Sequence, residues 1–352
     1  MNLYKNRFSI FSFITIVLLF VTSKNMLYAQ DATFSQFYSS YLYLNPAFAG
    51  SEPSLTLGLN SRTQWKSVTE PYQTNQVSII APLYRKVDKQ NHFAGIGGSV
   101  YQDKAGQGKL KATGVNLNLS YVLRLSETNK ILFGLQGGYV QKTLDHSSLQ
   151  WGSQYDRFNG FNSSLDAGEQ ANLQDKKSYM DIGAGVLYYN KPGRDIREVG
   201  YSFFVGLASY HMNQPNESLV AGSSSKLPML NKFHGGIEYS ISPKFNLSPN
   251  VYFAQQSNVN QVNLGMYVNY GFGNPDSKLV PSELILGAWY RLRDAYIFSI
   301  GLACDSYSLG FSYDINNSSL RSASNGKGAY EISLRLTKPR VVKTKRVYNP
   351  RI

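Results

Sequence analysis

From Ser54 onward the chain alternates apolar and polar residues with a period of two, in run after run, and few architectures accommodate that pattern. In residues 115–123 the odd positions are Val, Leu, Leu, Tyr and Leu, with Asn116, Asn118 and Ser120 among their neighbours. In 245–253 the odd positions are Phe, Leu, Pro, Val and Phe, and Asn246, Ser248 and Asn250 lie between them. Residues 262–270 carry Val, Leu, Met, Val and Tyr on the even positions. Tyr330, Ile332, Leu334 and Leu336 share one parity; Glu331, Ser333, Arg335 and Thr337 share the other. A strand puts successive side chains on opposite faces, so each run has one apolar and one polar face. In a soluble sandwich the apolar face packs on a second sheet. In a membrane barrel it meets lipid while the polar face lines the lumen.

Several features favour the barrel. Residues 1–29 read as a secretory signal peptide: Lys5 and Arg7 precede the apolar run 10–21, and Ala29 offers a small residue at the cut before Gln30. No later apolar run reaches the roughly 20 residues of a membrane-spanning helix, and a mean hydropathy of −0.28 is too polar for a helical membrane bundle. Several strand runs attain the length a tilted membrane strand needs, and charge stays off the apolar parity, which places Asn116, Glu331 and Arg335 toward the lumen. Aromatics make up 14% of the chain, with Tyr the commonest, which suits the two membrane–water boundaries.

The expected fold is therefore all-β: a transmembrane antiparallel barrel of about 14 strands, within two, filling residues 30–338 as one domain. The strands are placed at 54–64, 74–81, 92–101, 112–124, 131–142, 179–190, 200–211, 231–240, 245–255, 260–271, 282–292, 295–304, 306–316 and 328–338. An even count returns both termini to one side, the periplasm in a bacterial single-chain barrel. Short turns such as Ser242-Pro243-Lys244 and Lys191-Pro192-Gly193 then face inward, and the long connections 143–178 and 212–230 face outward. The first of these holds Trp151, Tyr155, Phe158 and Phe161, candidates for binding a partner. Ahead of the first strand, Phe34, Phe37, Tyr38 and Tyr41 fall at helical spacing, Asp31 could cap the start, and Asn45-Pro46 would stop it. This predicts a short amphipathic helix in a periplasmic segment, residues 30–50, with a first strand at 41–44 as the alternative. Past the last strand, 339–352 form a basic tail; Lys338 to Ile352 hold six basic residues and no acid. In an exported protein such a tail, with Lys343, Lys345 and Arg346 at its centre, points to anionic lipid or an acidic protein rather than to nucleic acid.

No chemistry stands out. His92, His146, His211 and His234 make no metal-binding spacing, and the chain has neither a nucleophile elbow nor a phosphate loop. Asp145, His146 and Ser147 are adjacent in one loop and read as ordinary loop residues. Gly95-Ile96-Gly97-Gly98 and Gly137-Gly138 lie inside β patterns and read as relief of crowding between strands. A single cysteine, Cys304, excludes an internal disulfide. The expectation is a non-enzymatic protein with no cofactor and no metal.

Several stretches then become specific in combination. Phe34-Ser35-Gln36-Phe37-Tyr38 and Tyr43-Leu44-Asn45-Pro46-Ala47-Phe48-Ala49-Gly50 resemble the opening of the PorP/SprF family. Ser61-Arg62-Thr63-Gln64-Trp65, with a strand reaching Pro82, resembles its first hairpin, and 103–108 its next loop. Gly310-Phe311-Ser312-Tyr313-Asp314 with Ser319-Leu320, then Tyr330-Glu331-Ile332-Ser333-Leu334, resemble its terminal hairpin. The resemblance implies an outer-membrane barrel associated with type IX secretion, working beside secretion-machinery proteins and paired with a surface adhesin of gliding motility. It brings no catalytic residues with it. The basic tail, which runs past the last strand to Ile352, departs from the pattern. The alternative is a passive porin or solute transporter, its lumen lined by Asn116, Glu331 and Arg335.

Overall fold

The computed structural model describes residues 31–338 apart from 68–69, 85–91, 107–108, 146–148, 157, 169–171, 191–199, 274–278 and 320. The expected signal peptide, the basic tail with Lys343, Lys345 and Arg346, and His146 and Ser147 lie outside the described residues. The strands are β1 (Thr56–Gln64), β2 (Tyr72–Tyr84), β3 (His92–Ala105), β4 (Leu110–Arg124), β5 (Asn129–Thr143), β6 (Tyr155–Asp156), β7 (Gly160–Phe161), β8 (Lys176–Asn190), β9 (Gly200–Tyr210), β10 (Leu230–Ser242), β11 (Phe245–Gln256), β12 (Val259–Gly271), β13 (Glu283–Arg291), β14 (Ala295–Ala303), β15 (Tyr307–Asn316) and β16 (Lys327–Thr337). All but β6 and β7 join in one closed antiparallel barrel of 14 strands. β6 and β7 form a small ribbon in the connection between β5 and β8. Neighbours in the wall follow chain order, and the barrel closes where β1 pairs with β16 from Thr56↔Thr337 to Gln64↔Ala329.

The side-chain parity sorts as the alternation requires. On β4, Val115, Leu117, Leu119, Tyr121 and Leu123 are exposed on the outer surface, while Asn118 and Ser120 are buried inside. On β16, Ile332 and Leu336 face out while Glu331 and Ser333 are buried. Every strand expected from sequence is present. Several run longer, as β2, β3 and β8 do at the ends nearest the β5–β8 connection. There the outward positions turn polar (Gln73, Asn75, Gln102, Ser178), so those ends project past the apolar band and lack the alternation that marks a membrane strand.

The two rims differ. The long connections, from Thr143 to Lys176 and from Tyr210 to Leu230, share one rim, here the loop rim. At the opposite, terminal rim β1 begins and β16 ends. The loop-rim connections brace each other: Leu173 bridges Val220, the Gln174 amide donates to the Leu219 carbonyl at 2.8 Å, and Ala221 donates to Asn172 at 2.7 Å. Lys142 on β5 pairs with Glu217 beneath them.

The segment before β1 does not sit at a mouth. It runs through the lumen as a plug, and Phe34 to Tyr38, Ser40 to Leu42 and Leu44 to Gly50 are all buried. The expected amphipathic helix shrinks to one turn, α1 (Tyr41–Leu44), followed by a 3-10 turn at Pro46–Gly50. Asn45 must be extended because Pro46 follows it (φ −160°, ψ 129°), and its side chain accepts from the Ala47 amide at 2.9 Å, capping the second turn. Aromatic spacing suggested one apolar face; the plug is walled on every side, so it has no solvent face. Asp31 lies level with Gln256 and His211 at the loop rim, whereas Thr56 and Thr337 pair at the terminal rim. The even strand count does bring the first and last strands to one rim, but the described chain begins at the other.

Candidate functional site: a plugged lumen beneath paired loops

The half of the plug nearer the loop rim is held by polar groups. Glu331, fully buried, accepts the Ser35 amide at 2.6 Å and the Gln36 amide at 3.3 Å. Gln36 also bridges to β16 through its side chain, donating to the Glu331 carbonyl at 3.0 Å and accepting from Ser333 at 2.8 Å. Ser35 donates to Asp314 at 2.7 Å. Arg62 and Arg291 each reach the same Asp314 oxygen at 3.2 Å, and Arg62 also donates to the Thr33 carbonyl at 2.5 Å. Removing such charges from water is costly, and they persist because each is paired or hydrogen-bonded. At the top, His211 sits between Asp31 at 2.6 Å and Asp181 at 2.9 Å. Burial alone would lower the His211 pKa, but the two carboxylates outweigh it and hold it near 10. Burial would likewise raise Asp31; the His211 charge and the His211 and Gln256 hydrogen bonds bring it down to about 2.

The other half takes bonds from Tyr210 to the Leu42 carbonyl at 3.1 Å, from Lys232 to the Tyr43 carbonyl at 2.6 Å and from Ser120 to the Ala47 carbonyl at 2.9 Å, and is held besides by shape. Pro46–Gly50 rests on inward-facing glycines of β3, β5 and β8. A Cβ at Gly95 would overlap the Ala49 carbonyl, one at Gly134 the Ala47 backbone, one at Gly185 the Asn45 side chain and one at Gly206 the His234 ring. The missing side chains leave a hollow that the plug backbone fills. Gly95 and Gly97 therefore make room for the plug, which corrects the reading that they relieve crowding between strands; Gly138 does face a strand neighbour, Asn116. Asn45 donates to the Val186 and Leu207 carbonyls at 3.1 and 3.0 Å, tying the plug to β8 and β9. Phe37, Tyr252 and Trp289 pack between the halves, with Phe37 centroids 4.7 and 5.1 Å from the other two rings.

The residues singled out in the sequence separate accordingly. Asn116 is half-buried on the inner parity of β4. Glu331 and Arg335 reach the plug rather than a water-filled channel, Arg335 bonding the Tyr41 hydroxyl. Trp151 is half-buried, while Tyr155, Phe158 and Phe161 are exposed on the β6–β7 ribbon, Phe158 at 90%. Tyr155 and Phe161 rings lie 5.6 Å apart across the ribbon, and Gly160 takes the left-handed turn conformation at φ +76°. Asp31, Arg291 and His211 were missed by sequence reasoning. Their one available signal was charge on the polar parity of a strand or at its end, which a hydrated lumen would show equally. Among the described residues no group of three or more His, Cys, Asp or Glu side chains could hold a metal ion.

A closed barrel with an apolar outer band, a filled lumen and long connections braced against each other at one rim is an outer-membrane β-barrel with a built-in plug. The family model for the type IX secretion system membrane protein PorP/SprF matches residues 26–336. The chain belongs to that family. No curated protein matches it in sequence. Among solved structures, the toluene transporter TbuX of Ralstonia pickettii is similar over 85% of this chain and 93% of its own, with 9% identity and a TM-score of 0.46. A Pseudomonas aeruginosa FadL homologue matches 85% of this chain and 94% of its own at 10% identity and TM-score 0.43. The KdgM porin matches 80% and 99% at 7% identity and TM-score 0.36. Likeness at that level carries no functional argument.

Proposed function

We propose that this protein is a non-enzymatic docking barrel of type IX secretion. Its loop rim holds an exported surface adhesin of the gliding-motility type, and its terminal rim with the basic tail meets the secretion machinery across the periplasm. The observation that carries this reading is the filled lumen: polar side chains that would line a solute path are spent on the plug, which leaves the rims as working surfaces. At the loop rim Tyr155, Phe158 and Phe161 stand exposed on a paired ribbon, as an aromatic anchor requires. On this reading a cleaved signal peptide exports the chain, lipid surrounds the apolar band, and no nucleic acid is engaged.

The test is affinity capture of the native protein in mild detergent. The intact chain should recover a machinery component and a secreted adhesin, and Tyr155→Ala with Phe158→Ala should lose the adhesin alone. Capture of neither by the intact chain removes the reading. The passive-porin alternative makes the opposite forecast in planar bilayers, where it needs steady ion conductance from the intact chain. The plugged barrel should be electrically silent, and deletion of residues 31–50 should make it conduct.

A further inference from the structure

Every neighbouring pair of barrel strands but one is joined by a connection in the chain; the exception is β1 with β16. Closing that seam brings together the two ends of the barrel with no turn to hold them, so its loop-closure cost falls on whatever crosses it. The lumenal face of the seam is polar: Asn60 and Arg62 on β1 stand opposite Ser333 and Glu331 on β16. Although Arg62 and Glu331 are in register, they do not pair with each other. Arg62 reaches Thr33 and Asp314, and Glu331 takes the Ser35 and Gln36 amides. The next pair repeats the arrangement, Asn60 donating to Ser39 at 2.5 Å and Ser333 to Gln36 at 2.8 Å. One step further, Arg335 bonds the Tyr41 hydroxyl. Three successive inward positions of β16, and two of β1, are thus bonded to one stretch of plug that straddles the line where they meet.

We propose that residues 33–41 of the plug clasp the β1–β16 seam, so that the barrel parts sideways only when the plug withdraws. The rest of the plug does not share this role. Asn45 staples β8 to β9, which the chain already joins, and Pro46–Gly50 lies on glycines of β3, β5 and β8, away from the seam. Lumen and seam are then governed by one element: a pull on the plug opens the axial path and unfastens the wall beside it.

The experiment alters the plug and leaves the seam strands' lumenal faces untouched. In full-length protein carrying Cys304→Ala, cysteines are placed at the outward pair Ser61→Cys and Ile332→Cys, which are opposite in register. A short thiol cross-linker then bridges β1 to β16. Ser35→Ala with Gln36→Ala removes clasp bonds, and Asn45→Ala removes the staple elsewhere. Both plug variants should lower the temperature of heat-modified gel migration, the first by on the order of 5 °C. Cross-linking the seam should restore most of that loss in the Ser35→Ala, Gln36→Ala protein and leave the Asn45→Ala loss unchanged. Equal rescue of both variants, or rescue of neither, overturns the clasp. Because the readout is intramolecular, it stands or fails separately from any partner captured at the loop rim.

Discussion

The two halves of the plug are held by different mixtures of bonding and fit. Residues 31–41 pack aromatic rings such as Phe37 in the core, but their ends and flanks are fixed by directed bonds to charged and polar side chains: Glu331 to two amides, Asp314 to two arginines, His211 between two carboxylates. Residues 42–50 also take bonds from the wall, Leu42 from Tyr210, Tyr43 from Lys232 and Ala47 from Ser120, but here plug backbone comes against wall backbone at Gly95 and Gly134, an approach that only glycine allows. A bonded half can be exchanged group by group; a half held by fit tolerates no added atom. The loop-rim half is thus the adjustable end of the plug and the glycine-floored half its fixed end.

The sharpest way to break that contrast is to fill the floor. Gly95→Val would place its side chain where the Ala49 carbonyl sits. Ordinary overpacking costs about 1–3 kcal/mol, and here the obstacle is backbone, which cannot swing aside. The expected outcome is a barrel that fails to reach the fast-migrating folded form at 37 °C or reaches it with the plug expelled, conducting in bilayers. A folded, silent Gly95→Val protein would show that the fit is looser than the close approach of Gly95 to Ala49 implies.

How much of this was legible beforehand follows from the same contrast. The wall was readable because lipid imposes one rule on every strand, and Val115 to Leu123 or Tyr330 to Thr337 display it directly. The polar overhangs of β2, β3 and β8 escaped because water imposes no such rule. The plug was misread because Phe34, Phe37, Tyr38 and Tyr41 carry the right spacing for a helix, yet spacing reports one-sided burial and this segment is buried all round. Pro46 as a stop was read correctly. The glycines were noticed, but the object they accommodate is distant in sequence and left no local mark. Glu331 and Arg335 were assigned to the inner face from parity; what they would bond there depended on the plug.

The polar half offers a second test, smaller in effect. Arg62→Met leaves Asp314 with one arginine, Arg291, beside the Ser35 hydroxyl, and strips the Thr33 contact. Removing one partner of a buried ion pair costs about 3–5 kcal/mol, and the remaining arginine should keep this near the lower end. Replacing the set together, Arg62→Met with Arg291→Met and Asp314→Leu, should recover much of the loss, since apolar groups of similar volume need no pairing. Heat-modification temperatures of the single and triple variants decide it: a triple variant less stable than Arg62→Met would mean that the charges do more than satisfy one another. No comparable rescue is open to Gly95→Val.

The smallest effect comes from acidity, and it reaches only the outermost bond of the polar half. His211 is raised from 6.5 to about 10 by Asp31 and Asp181 against the opposing pull of burial, so its contribution to stability is complete below pH 6.5 and is lost as pH rises through 10. Asp31 is lowered from 3.8 to about 2, so its contribution is complete above pH 3.8 and is lost as pH falls through 2. The clamp should therefore be strongest between about pH 4 and 6.5 and decline gradually on the alkaline side. Asp31 also accepts from Gln256, which holds it in place after His211 loses its proton. The intact protein and His211→Gln should accordingly differ most in unfolding temperature near pH 5–6, with the difference narrowing toward pH 10. Gly185→Ala, which strains the fixed half, should differ from the intact protein by the same amount at every pH across that range, because no group in that contact titrates there. A His211→Gln difference that stays flat with pH would place the clamp's strength in packing rather than charge and would erase the distinction between the plug's two halves at the point where it is most exposed.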